Sequence, residues 1–277
     1  MSDILKLVVC IKQVPAVSEL PWDAATGTLK RDLAEGMINP ACKHALEAAL
    51  QLKERHGGRI VVFTMGPPMA EEVLREAMAM GADQGVLLTD RAMAGADTSV
   101  TSFTLARAVA GVCPDFDLVM CGNRTIDSET AQVGPQLAEE LKIPGAANVH
   151  QLTLSGKILR LERLSDNFLE TLEMDLPGLV TISTREYFPR YVSMEGIQDT
   201  FDKGTILSLG AKDLGLDINL LGSKASPTRI LDVYSPTAKK NNVVLKGSPK
   251  KIVEELFTRF GDKIGGVIRK DIKKADT

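Results

Sequence analysis

Short apolar runs alternate with helical patterns along the first 183 residues, and this alternation restricts the possible folds more than any other feature of the sequence. Continuous apolar runs of strand length occupy residues 5–12, 59–65, 85–90 and 116–122. Such runs are typical of strands that are covered on both faces. Strands separated by helices pair in parallel through right-handed crossovers. The sequence therefore predicts an α/β fold, with a mostly parallel sheet and helices on both of its faces.

Helical patterns follow each of these strands, at residues 40–58, 69–81, 97–112 and 130–142. Asn39 stands before Pro40, as expected for a capping residue followed by proline at the first helical position. After Pro144, residues 147–183 alternate between apolar and polar and contain a Ser-Gly-Lys turn. This pattern predicts an edge hairpin whose last strand returns to the centre of the sheet.

Periodicity weakens from Thr184 onward, until residues 248–263 again predict a helix. A stretch of about ninety residues with so little core of its own is unusual for an independent domain. We therefore expect an extended C-terminal arm that lies over a partner subunit.

Composition excludes several classes of function. A net charge of −3 gives no support for nucleic-acid binding, which requires a concentrated basic face. No apolar run approaches the roughly 20 residues of a transmembrane helix, and the N-terminus resembles a strand rather than a signal peptide, so a cytoplasmic location is expected. The four cysteines and three histidines show no metal-ligand spacing, and no disulfide is expected.

The stretch from Asn123 to Leu137, NRTIDSETAQVGPQL, lies where the fourth strand hands over to a helix. The first turn of a helix presents free N–H groups and a partial positive charge, and so binds phosphate without lysine. We expect the backbone amides of residues 130–133 to hold phosphate oxygens, assisted by Arg124 and the hydroxyls of Thr125 and Thr130. Gly134 would permit a close approach by a ligand or another chain segment. The alternative is a purely structural cap, in which Asp127 or Ser128 caps a helix whose first turn is residues 129–132.

A second polar helix start, residues 94–102, follows the third strand, and there capping by Asp97 is the simpler interpretation. In an open parallel sheet, ligands bind at the carboxyl ends of the strands. Loops at residues 10–12 and 64–66 reach the same edge as the two helix starts. Two such starts at one edge favour a ligand with a diphosphate.

Several familiar motifs are absent from the sequence. It contains no G-x-x-x-x-G-K-[ST] loop, no G-x-G-x-x-G after the first strand, and no Ser-Gly-Gly loop like that of ATP pyrophosphatases. No Ser/His/Asp or Cys/His set indicates nucleophilic catalysis, so no catalytic residue is assigned. A nucleotide site without catalytic groups indicates a carrier or binding module.

These features together resemble the beta subunit of electron-transfer flavoproteins, over roughly residues 5–200. The matching segments are VVCIKQVP, INPACKHALEAALQLKE, MGPP, LREAMAMGAD, LLTDRAMAGADT and CGNRTIDSETAQVGPQLAEEL. The family's signature region matches residues 163–181 in part. Arg163, Asp166, Glu170, Leu172, Pro177 and Thr181 fall in place, whereas Asn167 and Phe168 replace small or acidic residues.

The resemblance implies a fold like that of adenine nucleotide alpha hydrolases, and a heterodimer with an alpha subunit that carries a redox-active flavin. Housekeeping members bind AMP in the beta subunit. Electron-bifurcating members hold a second FAD there, which takes hydride from NADH and passes electrons to the alpha-subunit flavin and to ferredoxin or flavodoxin. DRAMAGADT and TAQVGP resemble the bifurcating subgroup, so FAD is favoured over AMP. The resemblance thus implies an electron-carrier subunit, with redox activity only in a flavoprotein complex.

The family's nucleotide site, carried over residue by residue, comprises Cys10, Asn39, Pro40, Ala41, Cys42, Met65, Gly122, Asn123, Arg124, Thr125, Asp127, Thr130, Ala131, Gln132 and Val133. In the FAD-binding subgroup Asp97, Thr98 and Thr101 would also reach the cofactor. Arg124 is a candidate for tuning the flavin potential, because a cation near the ring stabilises the reduced anion.

Residues 188–197, FPRYVSMEGI, resemble the loop by which the beta subunit recognises a flavin-dependent dehydrogenase such as an acyl-CoA dehydrogenase. Met194 stands where the family has a leucine anchor; the alternative is that Met194 packs internally. The predicted organisation is a nucleotide-binding α/β domain at residues 1–183, a partner-recognition loop at 184–204, and an arm and helix at 205–277 that pack on the alpha subunit.

Two other functional classes of protein are also compatible with the sequence alone. One is a free-standing adenine-nucleotide-binding protein of the universal-stress type, which has no need of the long C-terminal arm. The other is an ATP-consuming ligase-like enzyme, against which the missing pyrophosphatase loop argues.

Overall fold

The structure is a computed structural model that describes residues 4–16, 22–23, 28–29, 35–166, 168–229, 231 and 243–275, with only the backbone described at 22–23, 28–29 and 266–275. The chain divides into two compact units, Met1–Leu231 and Asp232–Thr277. Asn167 of the signature region lies outside the described residues.

The described strands are β1 (Lys6–Cys10), β2 (Gln13–Pro15), β3 (Trp22–Asp23), β4 (Thr28–Leu29), β5 (Gly36–Ile38), β6 (Arg59–Met65), β7 (Gln84–Leu88), β8 (Leu118–Gly122), β9 (Gly145–Ser155), β10 (Ile158–Ser165), β11 (Phe168–Asp175), β12 (Gly178–Ile182) and β13 (Ile206–Leu209). The helices are α1 (Pro40–His56), α2 (Glu71–Met80), α3 (Thr98–Val112), α4 (Val133–Leu141), α5 (Met194–Lys203), α6 (Gly222–Ala225) and α7 (Pro249–Ala275).

Nine of the described strands form one sheet, in the order β11-β10-β9-β12-β8-β1-β6-β7-β13. The central strands β12, β8, β1, β6 and β7 pair in parallel, while β9, β10 and β11 form the antiparallel edge. The predicted α/β fold with a mostly parallel sheet and an edge hairpin is therefore confirmed. β12 returns to the centre beside β8, as the sequence predicts.

Successive residues of the central strands point to opposite faces of the sheet, and each face has its own core. Leu7 and Val9 pack with α1 and α2 on one face, while Val8 and Cys10 pack with α3 and α4 on the other. Both faces are covered, which explains why these strands are continuous apolar runs rather than alternating ones.

Two elements beyond residue 183 were not predicted. β13 extends the main sheet in parallel with β7, so residues 206–209 belong to the sheet rather than to an arm. The difference has a simple cause, since a four-residue strand is too short to show a period. α5 packs against α2 in the same unit, within the segment predicted as a loop.

In the second unit, the predicted helix at residues 248–263 is confirmed and continues to Ala275 as α7. Its apolar side chains include Val253, Leu256 and Phe257, all of which are exposed. Among the described residues, no helix has both the length and the apolar composition needed to cross a bilayer.

Candidate functional site

The candidate site lies at the carboxyl end of β8, where the start of α1 rests directly on the strand. A Cβ atom placed on Gly122 would stand 2.7 Å from the carbonyl carbon of Ala41 and 2.7 Å from the amide nitrogen of Cys42. Glycine is therefore required here by close approach of backbone to backbone. The loop of residues 123–132 leaves β8 at this point, so it passes over the first turn of α1.

Asn39 joins the start of α1 to this loop. Its Nδ2 atom donates to the carbonyl oxygen of Arg124 (2.8 Å), and its Oδ1 atom accepts from the amide of Ile126 (3.0 Å). The predicted N-cap position is confirmed, but the expected side-chain cap is wrong, because the carboxamide oxygen accepts from no backbone amide of the first turn of α1 and the carboxamide nitrogen reaches only the sulfur of Cys42 (3.4 Å). The first turn of α1 is consequently left without a side-chain cap.

The loop does not run directly into a helix. Glu129 and Ala131 have φ values of 49° and 55°, in the left-handed region that non-glycine residues seldom adopt. These two residues interrupt helical geometry, and α4 begins at Val133 rather than at the predicted Thr130. Residues 130–132 are exposed.

The alternative interpretation, in which Asp127 or Ser128 caps a helix that begins at residue 129, is wrong. Residues 129–132 precede α4 instead of forming its first turn, and Gln132 at the N-cap position makes no side-chain cap. Asp127 instead accepts from the Nζ atom of Lys12 at 2.7–2.8 Å, and the Ser128 hydroxyl lies 2.9 Å from that of Thr125. The predicted close approach at Gly134 is made by β12, since a Cβ there would lie 2.3 Å from Cγ2 of Thr181.

The second predicted helix start meets the first. The hydroxyl of Thr98 donates to Oε1 of Gln132 (2.9 Å), and that of Ser102 lies within hydrogen-bond distance of the carbonyl of Val133 (3.2 Å). The expected convergence of two polar helix starts at one edge of the sheet is therefore confirmed.

Asp97 caps α3, as the simpler interpretation of that segment predicts. One carboxylate oxygen accepts from the amide of Val100 (3.0 Å) and the other from the amide of Thr228 (2.9 Å). Burial opposes the charged carboxylate, but the amide hydrogen bonds outweigh it and hold the pKa of Asp97 below its usual range. Thr101 continues the same helix and is half-buried.

The cysteines form an apolar floor beneath the site. Cys10 and Cys121 are neighbours in the register of β1 and β8, and both are buried. The neighbouring Cys10 thiol and burial together raise the pKa of Cys121, and burial raises that of Cys42. The thiols of Cys121 and Cys42 are therefore neutral and poor nucleophiles. In the described part of the chain, no group of three or more potential ligands is arranged to hold a metal ion.

The site has an exposed cation and a buried side-chain oxygen without a hydrogen-bond partner among the described residues. The guanidinium of Arg124 is 61% exposed and lies 3.4 Å from the Glu129 carboxylate. The side-chain oxygen of Asn123 is buried with no hydrogen-bond partner, although its nitrogen donates to Asn148. Met65 ends β6 and is half-buried. The structure thus gathers the β8 loop, the start of α1 and the start of α3 at one edge.

Comparison with known proteins agrees with this architecture. The family model described as "Electron transfer flavoprotein domain" matches residues 26–224. The electron transfer flavoprotein subunit beta of Thermoanaerobacterium thermosaccharolyticum is 40% identical over 94% of this chain and 99% of its own. The Caffeyl-CoA reductase-Etf complex subunit CarD of Acetobacterium woodii is also 40% identical, over 94% and 99%. The acryloyl-CoA reductase electron transfer subunit gamma of Anaerotignum propionicum is 36% identical over the same shares.

The chain belongs to the electron transfer flavoprotein family. The resemblance to its beta subunits, drawn from sequence segments alone, is confirmed by these full-length matches. Universal-stress-type and ligase-like alternatives are thereby set aside.

In this electron transfer flavoprotein subunit, the segment predicted to recognise a dehydrogenase carries four exposed apolar side chains, of which Ile197 is the least exposed. Phe188, Tyr191 and Met194 are 74%, 99% and 82% exposed, and Met194 is the first residue of α5. Internal packing of Met194, the alternative open on sequence, is therefore wrong for this chain.

Sequence reasoning missed the contact that fixes this segment. The guanidinium of Arg190 donates two hydrogen bonds to the buried carboxylate of Glu47 on α1 (2.9 and 3.1 Å) and one to Glu54 (2.6 Å), and the Arg190 amide also donates to Glu47 (3.2 Å). Burial of Glu47 opposes its ionisation, yet the hydrogen bonds from Arg190 and Gln51 lower its pKa overall. Because Glu47 and Arg190 are 143 residues apart, no local pattern reveals the pair.

Proposed function

We propose that this beta-type subunit binds FAD through its adenosine diphosphate part at the carboxyl edge of the sheet. The observation that carries the proposal is that α1 and α4 both begin at this edge without a side-chain cap. Uncapped helix starts leave amide donors for phosphate oxygens. The groups present fit such a ligand, because they are amides, hydroxyls and one cation over a floor of neutral thiols.

The residues proposed to hold the adenosine diphosphate part are those carried over from the family, from Cys10 through the start of α1 to residues 122–133. Arg124 and Thr130 stand on the exposed side of the loop and can supply donors without rearrangement of the core. The start of α3 extends this surface through the bond from Thr98 to Gln132. Asp97, Thr98 and Thr101 are therefore proposed to serve the larger cofactor, FAD, rather than AMP.

When bound, FAD supplies the hydride acceptor that connects NADH with the alpha-subunit flavin and with a low-potential acceptor such as ferredoxin or flavodoxin. The chain's own residues bind and orient the cofactor and limit access of water. The exposed guanidinium of Arg124 would favour a reduced, anionic ring. An Arg124→Ala variant with an unchanged flavin potential would contradict that role.

The physiological setting proposed is a cytoplasmic heterodimer with an alpha subunit that exchanges electrons with a flavin-dependent dehydrogenase of acyl-CoA type. Two relatives are named as parts of acyl-CoA-type reductases, which supports this class of partner. The segment from residue 205 onward is proposed to contact the alpha subunit, and the exposed apolar face of α7 suits such a role.

The deciding experiment is the flavin and AMP content of the protein purified anaerobically with its alpha subunit. Two FAD and no AMP per heterodimer are expected. One FAD and one AMP would mean that the site holds a structural nucleotide instead, as in the housekeeping members. Absence of both flavin and AMP from the beta subunit would overturn the proposal.

The role of Met194 is tested separately. Replacing Met194 with alanine removes an exposed apolar anchor, and such anchors carry much of the energy of small interfaces. We expect electron transfer to the dehydrogenase to fall about tenfold, while flavin content is unchanged. A tenfold loss corresponds to roughly 1.4 kcal/mol of binding free energy. The exposed Ile158→Ala change, at the start of β10 and outside both proposed partner surfaces, is the matched control. Equal loss in both variants would contradict a specific anchor at Met194.

A further inference from the structure

Asn39 is fully buried, and its hydrogen-bonding capacity is directed at the protein itself. Its Nδ2 atom has two hydrogens, which go to the carbonyl of Arg124 (2.8 Å) and the sulfur of Cys42 (3.4 Å). Its Oδ1 atom accepts the amide hydrogen of Ile126 (3.0 Å). An amide side chain donates no more than two hydrogens, so Asn39 has no donor left for a phosphate.

The backbone of Asn39 is engaged as well. Its amide donates to the carbonyl of Lys12 (2.9 Å), and its carbonyl accepts from the amides of Cys42 (2.8 Å) and Lys43 (3.2 Å). One residue therefore joins the segment between β1 and β2, the first turn of α1 and the loop after β8. The carboxamide accepts from one residue of the loop and donates to another. These two bonds fix both the position and the direction of the loop.

We propose that Asn39 is a positioning residue that holds residues 124–126 over the uncapped start of α1, and that its side chain does not itself contact the nucleotide. This inference rests on the proposed nucleotide site and goes beyond it, because the family resemblance places Asn39 among the cofactor-binding residues. Asn39 serves binding by orienting the Arg124 segment, while its carbonyl oxygen holds the amides of Cys42 and Lys43 in the first turn of α1.

A second tether of the same loop is weaker. Lys12 bonds the carboxylate of Asp127, and their side chains are 39% and 11% exposed, so the lysine end of the pair is open to water. Water and salt that reach the lysine screen the pair and reduce its contribution. Asn39, which is buried and neutral, is not screened in this way. Its removal should therefore release residues 124–126 even with Lys12 intact.

The test uses the full-length chain with FAD as the probe, because its diphosphate does not titrate between pH 5.5 and 8. In the nucleotide-free chain, the Asn39→Ala variant should lose protection of the Ile126 amide against hydrogen exchange by at least about tenfold. Its affinity for FAD should fall about 10- to 100-fold, as expected for the loss of buried hydrogen bonds. Gln198→Glu, an amide-to-acid change on an exposed face of α5, serves as the control for the acid variant described next.

The Asn39→Asp variant gives the pH signature. At pH 8 its carboxylate cannot donate to the Arg124 carbonyl, so both loop protection and FAD affinity should be low. Burial raises the pKa of an aspartic acid, and the protonated acid can donate again as pH falls. Cys42 beside it has a raised pKa and stays neutral throughout this range. Two quantities should therefore recover together toward pH 5.5, relative to wild type. One is the protection of the loop amides against hydrogen exchange in the nucleotide-free variant, and the other is the variant's affinity for FAD.

The outcomes separate the alternatives. Lower FAD affinity with unchanged loop protection would overturn the inference in favour of direct contact, and no change in either would overturn it outright. If wild type binds neither FAD nor AMP, the proposed function fails, whereas loop protection still tests the tether. Should the variants not fold, an Ile126 amide that exchanges in wild type as fast as the exposed residues 130–132 would itself overturn the inference.

Discussion

The starts of α3 and α4 have similar polar sequences and lie at the same edge of the sheet, yet they are satisfied in different ways. Asp97 caps α3 and also accepts from Thr228, so the protein itself occupies both carboxylate oxygens. α4 has no side-chain cap and is preceded by two left-handed residues. Similar polar composition at two helix starts therefore leads to different capping, because one carboxylate caps α3 whereas no side chain caps α4.

The difference also appears in backbone energy. A non-glycine residue in the left-handed region costs about 1 kcal/mol or more, and the loop before α4 contains two such residues, Glu129 and Ala131. The start of α3 is extended at its N-cap and carries no such cost there. The strained and uncapped segment before α4 therefore differs from the relaxed and capped start of α3, which supports it through the bond from Thr98 to Gln132.

The largest expected effect comes from separating α1 from the end of β8. In a Gly122→Ala variant the new Cβ would meet backbone atoms of Ala41 and Cys42 at 2.7 Å, and backbone cannot rotate away. We expect a loss of about 3 kcal/mol in the free energy of unfolding and a loss of FAD binding. Denaturant unfolding and FAD titration measure the two effects.

The matched control is Gly111→Ala in α3, where a Cβ meets nothing within 4 Å. It should raise stability by up to about 1 kcal/mol, since alanine is the better helix former. Equal stability of the Gly122 and Gly111 variants would show that the contact between α1 and β8 is not tight.

The next largest effect is the loss of stability when the N-cap residue of α3, Asp97, is replaced. Replacing Asp97 with alanine should cost about 1 to 2 kcal/mol at pH 7. The folded-state pKa of Asp97 is lowered, so its ionic stabilisation is complete above the unfolded pKa and is lost as pH falls through the folded value. Urea unfolding from pH 7 down to pH 3 should therefore show the difference between wild type and Asp97→Asn shrinking. A difference that grows on acidification would contradict the sign of this shift.

Sequence predicted the sheet well because its strands are decided by local composition. β6 falls at residues 59–65 as predicted, and the capped start of α3 lies within one residue of its prediction. The start of α4 was missed because Thr130, Ala131 and Gln132 are acceptable in a helix, and nothing local requires a left-handed Ala131. The bonds of Asn39 to the β8 loop span 85 and 87 residues, so only the fold reveals them.

Removing the hydrogen bond between Thr98 and Gln132, which joins the starts of α3 and α4, should have a smaller effect, on the affinity for FAD. A Thr98→Val variant keeps the shape of the side chain but removes the hydroxyl that donates to Gln132. One hydrogen bond of about 1 kcal/mol corresponds to roughly a fivefold loss of FAD affinity. AMP affinity should change little, because α3 is proposed to serve only the larger cofactor. Parallel losses for FAD and AMP would instead assign Thr98 to the shared part of the site.

The smallest effect concerns the strain itself. An Ala131→Gly variant removes the Cβ that makes a φ of 55° unfavourable, at some cost in unfolded-state entropy. A net gain of about 0.5 to 1 kcal/mol in stability is expected by denaturant unfolding, whereas Ala108→Gly, buried within α3, should lose more than 1 kcal/mol. If Ala131→Gly binds FAD as tightly as wild type, the strained geometry is needed only to present the loop, and glycine supplies it equally well. If affinity falls although stability rises, the stiffness of a left-handed alanine contributes to binding by holding residues 130–132 in place before the ligand arrives.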